Sequence, residues 1–428
     1  MKVNKNRVKN TAIIGITALA MTSCVSSSKA PKDNAIVNTN NIERTEDMDN
    51  NYLILSDAQL SAVSKSNSFA FNLFRTQAGM DSKVVSPLSV AYLMGMLANG
   101  SEGNTQAEIM NALGMSNVSL QTLNEAYKAI INTASNLDKQ TTVNIANCIA
   151  VNQQISLKEE YKKAMSQTYN AQVESMNFAG EALKRINSWC DKQTNGMIPS
   201  IINQLNPNAL TVIMNAIYFN GTWDKKFDKK DTKKEPFKGY TRDIKRVDMM
   251  QQKAKFDFIE QNDFSAINLP YGNGTYEMTI ILPHDGKSTT EIMEKLDAEK
   301  LSELNNNMEK CIVDLKLPRF STSTETQLNK PISNLGAPSM FIAGKADFNK
   351  ISDTPMFISS MLQKAKIEVS EEGTKAAAVT AGVMMMSALP NSQPRLVEFH
   401  ADHPFVYIIT ERHTGAIFFI GQYTGDNL

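Results

Sequence analysis

Few residues in this chain are of types that carry out bond chemistry themselves. It has four histidines, His284, His400, His403 and His413, and a hydrolase needs such a base beside a positioned nucleophile. No G-x-S-x-G turn is present to present a serine. His400 and His403 stand three apart near the start of a strand, a metal-like spacing, but no second cluster of ligand types accompanies them, so no metal site is expected. Gly286-Lys287-Ser288 has the ending of a phosphate loop, yet Ile281 stands where the leading glycine belongs and Pro283 precedes it. Cys148, Cys190 and Cys311 each lie inside an apolar pattern with no histidine near in sequence, and read as buried free thiols rather than nucleophiles. No complete catalytic constellation results: the chain is expected not to be an enzyme and to take no cofactor.

Chemistry done to the chain is a different matter. Ile367, Glu368, Val369 and Ser370 alternate apolar and polar as a half-buried strand does, and Gly373 then opens a run of small residues. Thr374, Ala376, Ala378, Thr380 and Gly382 occupy every second position, so one face of the segment would fit a gap between two existing strands, with Lys375 on the opposite, solvent-facing set. An alanine-rich run also reads as a helix, and spacing alone leaves both open. Downstream, Met384, Met385 and Met386 precede Ser387 and Ala388, with Pro390 and Pro394 beyond; the prolines favour exposure over core filling.

The elements that must position this segment are legible in outline. At 428 residues and 42% hydrophobic the chain can bury a large core. From Leu53 to Leu428 no Pro/Gly/Ser-rich gap or repeat interrupts it, so residues 53–428 read as one domain. Ala62, Phe69 and Leu73 share one helix face; Val90, Leu93, Met94 and Leu97 make another after Ser86-Pro87; Leu183, Ile186 and Cys190 make a third, terminated at Thr194-Asn195-Gly196. Buried-type strands follow. Val212 to Phe219 is expected to end at Asn220-Gly221, Tyr276 to Leu282 at Pro283, and Phe405 to Ile409 to pair with Ala416 to Ile420 across Thr414-Gly415. Helices come mostly early and strands mostly late, which is an α+β pattern.

Residues 1–23 read as a targeting segment: a basic stretch, then an apolar run from Thr11 to Met21 too short to span a bilayer. Met21-Thr22-Ser23-Cys24 resembles a bacterial lipobox, which implies a lipidated Cys24 and an exported protein of the bacterial cell envelope, at the outer membrane or cell surface; ordinary secretory cleavage into the extracellular space is the alternative. Residues 24–52, rich in Ser, Asn, Asp and Lys, read as a disordered tether. Without residues 1–23 the chain has 40 basic against 44 acidic residues, and nothing favours nucleic acid.

Glu371-Glu372-Gly373-Thr374, Ala376-Ala377-Ala378, and Phe399 with His403-Pro404-Phe405-Val406 resemble the mobile hinge, reactive loop and closing strand of a serpin. Ser86-Pro87-Leu88-Ser89-Val90, Gly103-Asn104-Thr105, Asn215-Ala216-Ile217-Tyr218-Phe219 with Gly221 and Trp223, and Leu317-Pro318-Arg319-Phe320 resemble further signatures in the family's order. The resemblance implies the serpin fold, three β-sheets with about nine helices, and an exposed reactive loop over about residues 373–397. It also implies a suicide inhibitor of serine, and by extension cysteine, endopeptidases that acts as a monomer. The family's loop spacing sets the scissile bond after Ser387, before Ala388, or after Met386. A neutral residue there suits elastase-, chymotrypsin- or subtilisin-like enzymes, with Arg395 a distant candidate for a trypsin-like one.

Carried over residue by residue, the hinge is Glu371, Glu372, Gly373, Thr374, Lys375, Ala376, Ala377, Ala378, Val379 and Thr380. The breach is Trp223, Arg319 and Glu371, with an Arg319–Glu371 ion pair. The shutter is Ser86, Ser89, Asn215 and Gln363, the last replacing the family's histidine. No bulky or charged residue stands at an inward position from Thr374 to Gly382, which favours an inhibitor over the alternatives, a non-inhibitory serpin or a surface lipoprotein serving as a binding module. Lys225, Lys226, Lys229, Lys230, Lys233 and Lys234 are dense and read as a solvated face.

Overall fold

A computed structural model of the chain describes residues 53–77, 79–241, 244–374 and 394–425. Their helices are α1 (Asp57–Arg75), α2 (Pro87–Gly100), α3 (Gly103–Ala112), α4 (Leu120–Ala134), α5 (Glu159–Tyr169), α6 (Ala182–Gln193), α7 (Thr289–Lys295), α8 (Ala298–Asn306) and α9 (Asn329–Asn334). The strands are β1 (Lys83–Val85), β2 (Thr141–Asn152), β3 (Gln172–Met176), β4 (Thr211–Thr222), β5 (Lys233–Lys238), β6 (Ile244–Glu260), β7 (Phe264–Tyr271), β8 (Tyr276–Pro283), β9 (Glu309–Pro318), β10 (Phe320–Gln327), β11 (Ser360–Ser370), β12 (Gly373–Thr374), β13 (Leu396–His400), β14 (Phe405–Glu411) and β15 (Ile417–Tyr423).

The helix faces expected from spacing are the buried ones. Ala62, Phe69 and Leu73 bury on α1, whose start is fixed by a reciprocal cap between Ser56 and Gln59. On α2, which has Pro87 in its first turn, Val90, Leu93, Met94 and Leu97 are all fully inside. Ile186 and Cys190 bury on α6, with Leu183 packed at their margin. Its chain reverses through Asn195 and Gly196, at φ 49° and 77°.

Two hydrogen-bonded networks organise the strands. One has six strands in the order β10-β11-β12-β4-β2-β3. The other has nine and turns on the long β6, which pairs β7 through Asp257–Glu260, β9 through Met249–Phe258 and β5 through Ile244–Met249. It therefore has two parts, β1-β15-β14-β8-β7 joined to the C-terminal end of β6, and β5 and β9-β13 on opposite edges of its N-terminal stretch, where Met249 pairs with both Lys233 and Pro318, so three sheet surfaces result. β14 and β15 pair as expected, Ile408 opposite Ile420.

One strand runs further than expected. β4 continues through Asn220 and Gly221 to Thr222, with Thr141 opposite Gly221. Gly221 is a close approach and not a turn: a Cβ there would lie 2.7 Å from the Tyr271 ring.

The main core lies between the six-stranded sheet, α2 and the nine-stranded sheet. A second cluster covers the outer face of the six-stranded sheet with α6 and the segment after it, through Ile186, Trp189, Ile198 and Ile201. Cys148, Cys190 and Cys311 are buried and unpaired. Burial pushes the Cys190 thiol up to about 12 and the Cys148 thiol further, which makes both poor nucleophiles.

Candidate functional site

The sequence feature that mattered most, a strand followed by small residues, lies at a seam. β11 and β4 pair in parallel from Ser360 opposite Val212 to Ala365 opposite Ile217. Beyond that point they part, and β12 fills the far end of the gap. Gly373 and Thr374 run antiparallel to Ser370 and Val369 of β11 on one side, and to Thr222 and Gly221 of β4 on the other. Gly373 has φ 143°, and a Cβ there would fall 2.0 Å from the Gly221 carbonyl oxygen, so only glycine fits. Thr374 is fully buried and its hydroxyl lies 2.6 Å from that of Tyr271.

Tyr271 also supports the neighbouring turn. Its ring stacks on Trp223 with centroids 4.4 Å apart and an 11° interplanar angle. The Trp223 indole N–H donates to the Ser370 carbonyl at 2.9 Å, its backbone N–H to the Glu372 carbonyl at 3.0 Å, and Phe227 N–H to the Glu371 carbonyl at 3.0 Å. The turn between β11 and β12 is thus pinned through its backbone.

Its side chains are pinned as well. Glu371 is 2% exposed. Arg319, whose own side chain is nearly half exposed, grips both carboxylate oxygens, Nε donating to Oε2 at 3.2 Å and Nη2 to Oε1, while the Thr232 hydroxyl donates to Oε1 at 2.7 Å. Burial alone would push this carboxyl up; the bonds from Arg319 and Thr232 outweigh it and hold it below the ordinary value. Glu372 is held by Lys226 at 2.9 Å and Lys229 at 3.4 Å, and the Lys226 bond lowers its carboxyl too.

That contact changes the reading of the dense lysines. Lys226 and Lys229 serve the hinge, Lys234 pairs with Asp248 at 3.1 Å, and Lys225 donates to the Lys255 carbonyl at 2.6 Å. Asp224, Asp228 and Asp231 are interleaved with them.

At the closed end of the seam, Ser86, Ser89, Asn215 and Gln363 come together, each at most 1% exposed. The Gln363 side-chain amide clips the Ser86 backbone like a neighbouring strand, accepting from Ser86 N–H at 3.0 Å and donating to its carbonyl at 2.7 Å. Ser86 and Ser89 hydroxyls are 2.8 Å apart. Asn215 lies opposite Gln363 in register and donates to Asn147 at 2.9 Å and to the Ala146 carbonyl at 3.2 Å. Across the seam's outer face, Lys364 on β11 donates to the Ser200 carbonyl in the segment after α6, at 2.9 Å.

A gapped sheet with a clamped strand turn at one end and a buried polar cluster at the other is the arrangement the motifs had implied. The family model described as "Serpin (serine protease inhibitor)" matches residues 64–425. The chain belongs to the serpin family. It is 33% identical to Serpin B3 of Homo sapiens over 392 residues, covering 85% of this chain and 100% of that relative. It is 33% identical to Leukocyte elastase inhibitor of Sus scrofa over 381 residues, covering 85% and 98%. Among solved structures, the native state of the thermophilic serpin Tengpin is similar with a TM-score of 0.79 and 26% identity, over 87% of this chain and 95% of that one.

The residues expected to form the breach, Trp223, Arg319 and Glu371, and those expected to form the shutter, Ser86, Ser89, Asn215 and Gln363, each come together in one cluster. The hinge is brought in only as far as Thr374. Lys375, Ala376, Ala377, Ala378, Val379 and Thr380, the expected bond region Met386, Ser387 and Ala388, and Cys24, expected to be lipidated, lie outside the described residues. At the ends of the segment 373–397 expected to be a loop, Gly373 and Thr374 are strand β12 and Leu396 and Val397 belong to β13. Arg395 makes a poor cleavage site: its carbonyl accepts from Ile312 N–H at 2.9 Å and its guanidinium lies 5.8 Å from the Phe258 ring centroid.

Sequence reasoning missed Thr232, Tyr271, Lys226 and Asn147, whose roles come from long-range register. His403 is structural, bonded to Asp402 at 2.9 Å and to the Pro283 carbonyl at 2.7 Å. Among the described residues, no group of three or more His, Cys, Asp or Glu is placed to hold a metal.

Replacing Glu371 with Gln keeps the shape and removes the charge. Because the native carboxyl is depressed, its stabilisation is present at neutral pH and is lost as the pH falls through that depressed value. Glu371→Gln is expected to cost about 1–3 kcal/mol at pH 7 and to lack that acid loss, as read from urea midpoints across pH. Equal midpoints at neutral pH would remove the clamp from the account.

Proposed function

We propose that this serpin is a suicide inhibitor of serine endopeptidases, with cysteine endopeptidases within reach, and that it traps the acyl-enzyme by taking its cleaved loop into the six-stranded sheet. The observation that carries the proposal is β12, a strand already begun inside the seam and in a fixed register. Continued, that register sets Ala376 opposite Ile367 and Phe219, Ala378 opposite Ala365 and Ile217, and Thr380 opposite Gln363 and Asn215. All six of those partners are buried, so each incoming side chain at these positions must be small, or polar where the shutter is polar.

The chemistry begins on the protease. Its serine oxygen adds to the carbonyl carbon of the scissile bond, the peptide C–N bond breaks, the amine leaves with a proton from the protease histidine, and an ester joins the two proteins. With the loop cut, the parallel pairing of Ser360–Ala365 with Val212–Ile217 gives way to two antiparallel ladders around a new central strand. A net gain of about ten backbone hydrogen bonds is worth on the order of 10 kcal/mol. That gain suffices to drag the acylated serine away from its oxyanion donors and histidine, and deacylation stops, since those contacts hold only at close geometry.

Relatives named Leukocyte elastase inhibitor support protease inhibition in general. A neutral Met386 or Ser387 at the bond suits elastase-, chymotrypsin- or subtilisin-like targets. Export and lipid on Cys24 complete the proposal, with anchoring at the bacterial envelope by several acyl chains. The intact mass of the protein recovered from membranes tests it: acyl mass on a chain beginning at Cys24 supports the anchor, and an unmodified chain overturns it.

Mixing the purified protein with each enzyme class is expected to give a covalent complex that survives boiling in detergent, and sequencing the released C-terminal peptide identifies the bond. Ala378→Arg, which forces a charge against Ala365 and Ile217, is expected to be cut at the same bond while complex formation falls by at least about tenfold. Complex formation unaffected by Ala378→Arg contradicts insertion, and turnover without any complex contradicts inhibition.

A further inference from the structure

The sheet beneath the hinge holds a carboxyl group that no role assigned above explains. Glu277, on β8, is 3% exposed and its Oε2 has no hydrogen-bond partner. Directly opposite it on β14 is Thr410, 2% exposed, whose hydroxyl is also without a partner. Unsatisfied polar atoms on two directly paired residues are costly in a buried sheet.

The charges that face Glu277 are divided. Arg412, beyond the end of β14, approaches with Nε 3.7 Å from Oε2, too far for a hydrogen bond, and its other end is drawn 3.7 Å from Asp257 on β6. Asp257 is bonded in turn to Lys310 on β9 at 2.9 Å. Glu411 on β14 is a second nearby acid, engaged with the backbone N–H groups of His413 and Thr414 at 2.9 and 2.8 Å. Burial pushes the Glu277 carboxyl up to about 7; Arg412 and Lys310 pull it down, and Asp257 and Glu411 push it further up.

The position matters because of what Glu277 adjoins. Its partner on the other side is Pro270 of β7, whose carbonyl accepts from Asp224 N–H at 2.9 Å, next to Trp223. The following residue, Tyr271, carries the stack on Trp223 and the bond to Thr374. The β7–β8 hairpin is thus the footing of the hinge.

We infer that Glu277 is a proton-binding switch in that footing: neutral, it fits its buried site and the hairpin is firm; ionised, it places an ill-compensated charge there and loosens the support of Trp223 and Thr374. The native fold is consequently firmer in mild acid. A carboxyl whose native value lies above its ordinary 4.5 contributes stability that is full below the ordinary value and is lost as the pH rises through about 7. This inference stands whether or not the protein inhibits a protease.

Two measurements test it. Infrared difference spectra of the wild-type protein between about pH 6 and pH 8 are expected to show a carboxylic-acid C=O band lost on raising the pH, a band absent from Glu277→Gln. Over the same range, the first thermal transition of the wild type is expected to fall by several degrees while that of Glu277→Gln, in which His403 with its raised value still titrates, falls less steeply and lies higher at the upper end. Hydrogen exchange, corrected for intrinsic rates, is expected to show the loss of protection at residues 221–224 and 371–374. No acid band titrating near neutral pH overturns the inference, and does so even if the variant fails to fold. Equal pH slopes for the two proteins also overturn it.

Discussion

Parallel pairing between β11 and β4 is the constraint on which the rest of this structure turns. It closes the six-stranded sheet only from Ser360 to Ala365, and a ladder of that length between two long strands leaves their upper halves apart. A backbone gap in a sheet exposes donors and acceptors, which favours either closing it or filling it. Here it is filled just at its mouth, by Gly373 and Thr374. Everything else around the seam either holds those two residues in place or keeps the closed end shut.

The two ends are held by different physics. At the mouth, charge and aromatic stacking act together: Arg319 and Thr232 on Glu371, Lys226 and Lys229 on Glu372, and the Trp223–Tyr271 stack beneath. At the closed end the contacts are neutral, with the Gln363 amide bonded to both backbone groups of Ser86. Glutamine cannot gain a proton in the physiological range, so the contacts among Ser86, Ser89, Asn215 and Gln363 include no side chain that titrates there, unlike a cluster built on histidine. Sensitivity near neutral pH falls instead to the buried carboxyl of the β7–β8 hairpin.

Local pattern carried a large share of the fold. The buried faces of α1, α2 and α6 follow from side-chain spacing, and the β14–β15 pair from two apolar runs about a Thr-Gly turn, because those signals span only a few residues. The pattern of β4 ends too early at Asn220-Gly221, since Asn-Gly looks like a turn while the glycine is there to admit the Tyr271 ring. The breach pair came from family resemblance and not from spacing: Arg319 and Glu371 are 52 positions apart, and Thr232 and Lys226 reach the same turn from 139 and 146 positions away. Nothing local in a lysine-rich stretch says which lysine will meet Glu372; that is decided by how β4 and β11 align.

The central claim is that the intact chain is held short of its most stable arrangement, with the seam waiting for its strand. The direct measurement is the thermal midpoint of the intact protein against that of the same protein nicked once between residues 375 and 393 with both fragments retained. A large upward shift on nicking, with greater resistance to denaturant, is the predicted result. An unchanged or lower midpoint would contradict the account.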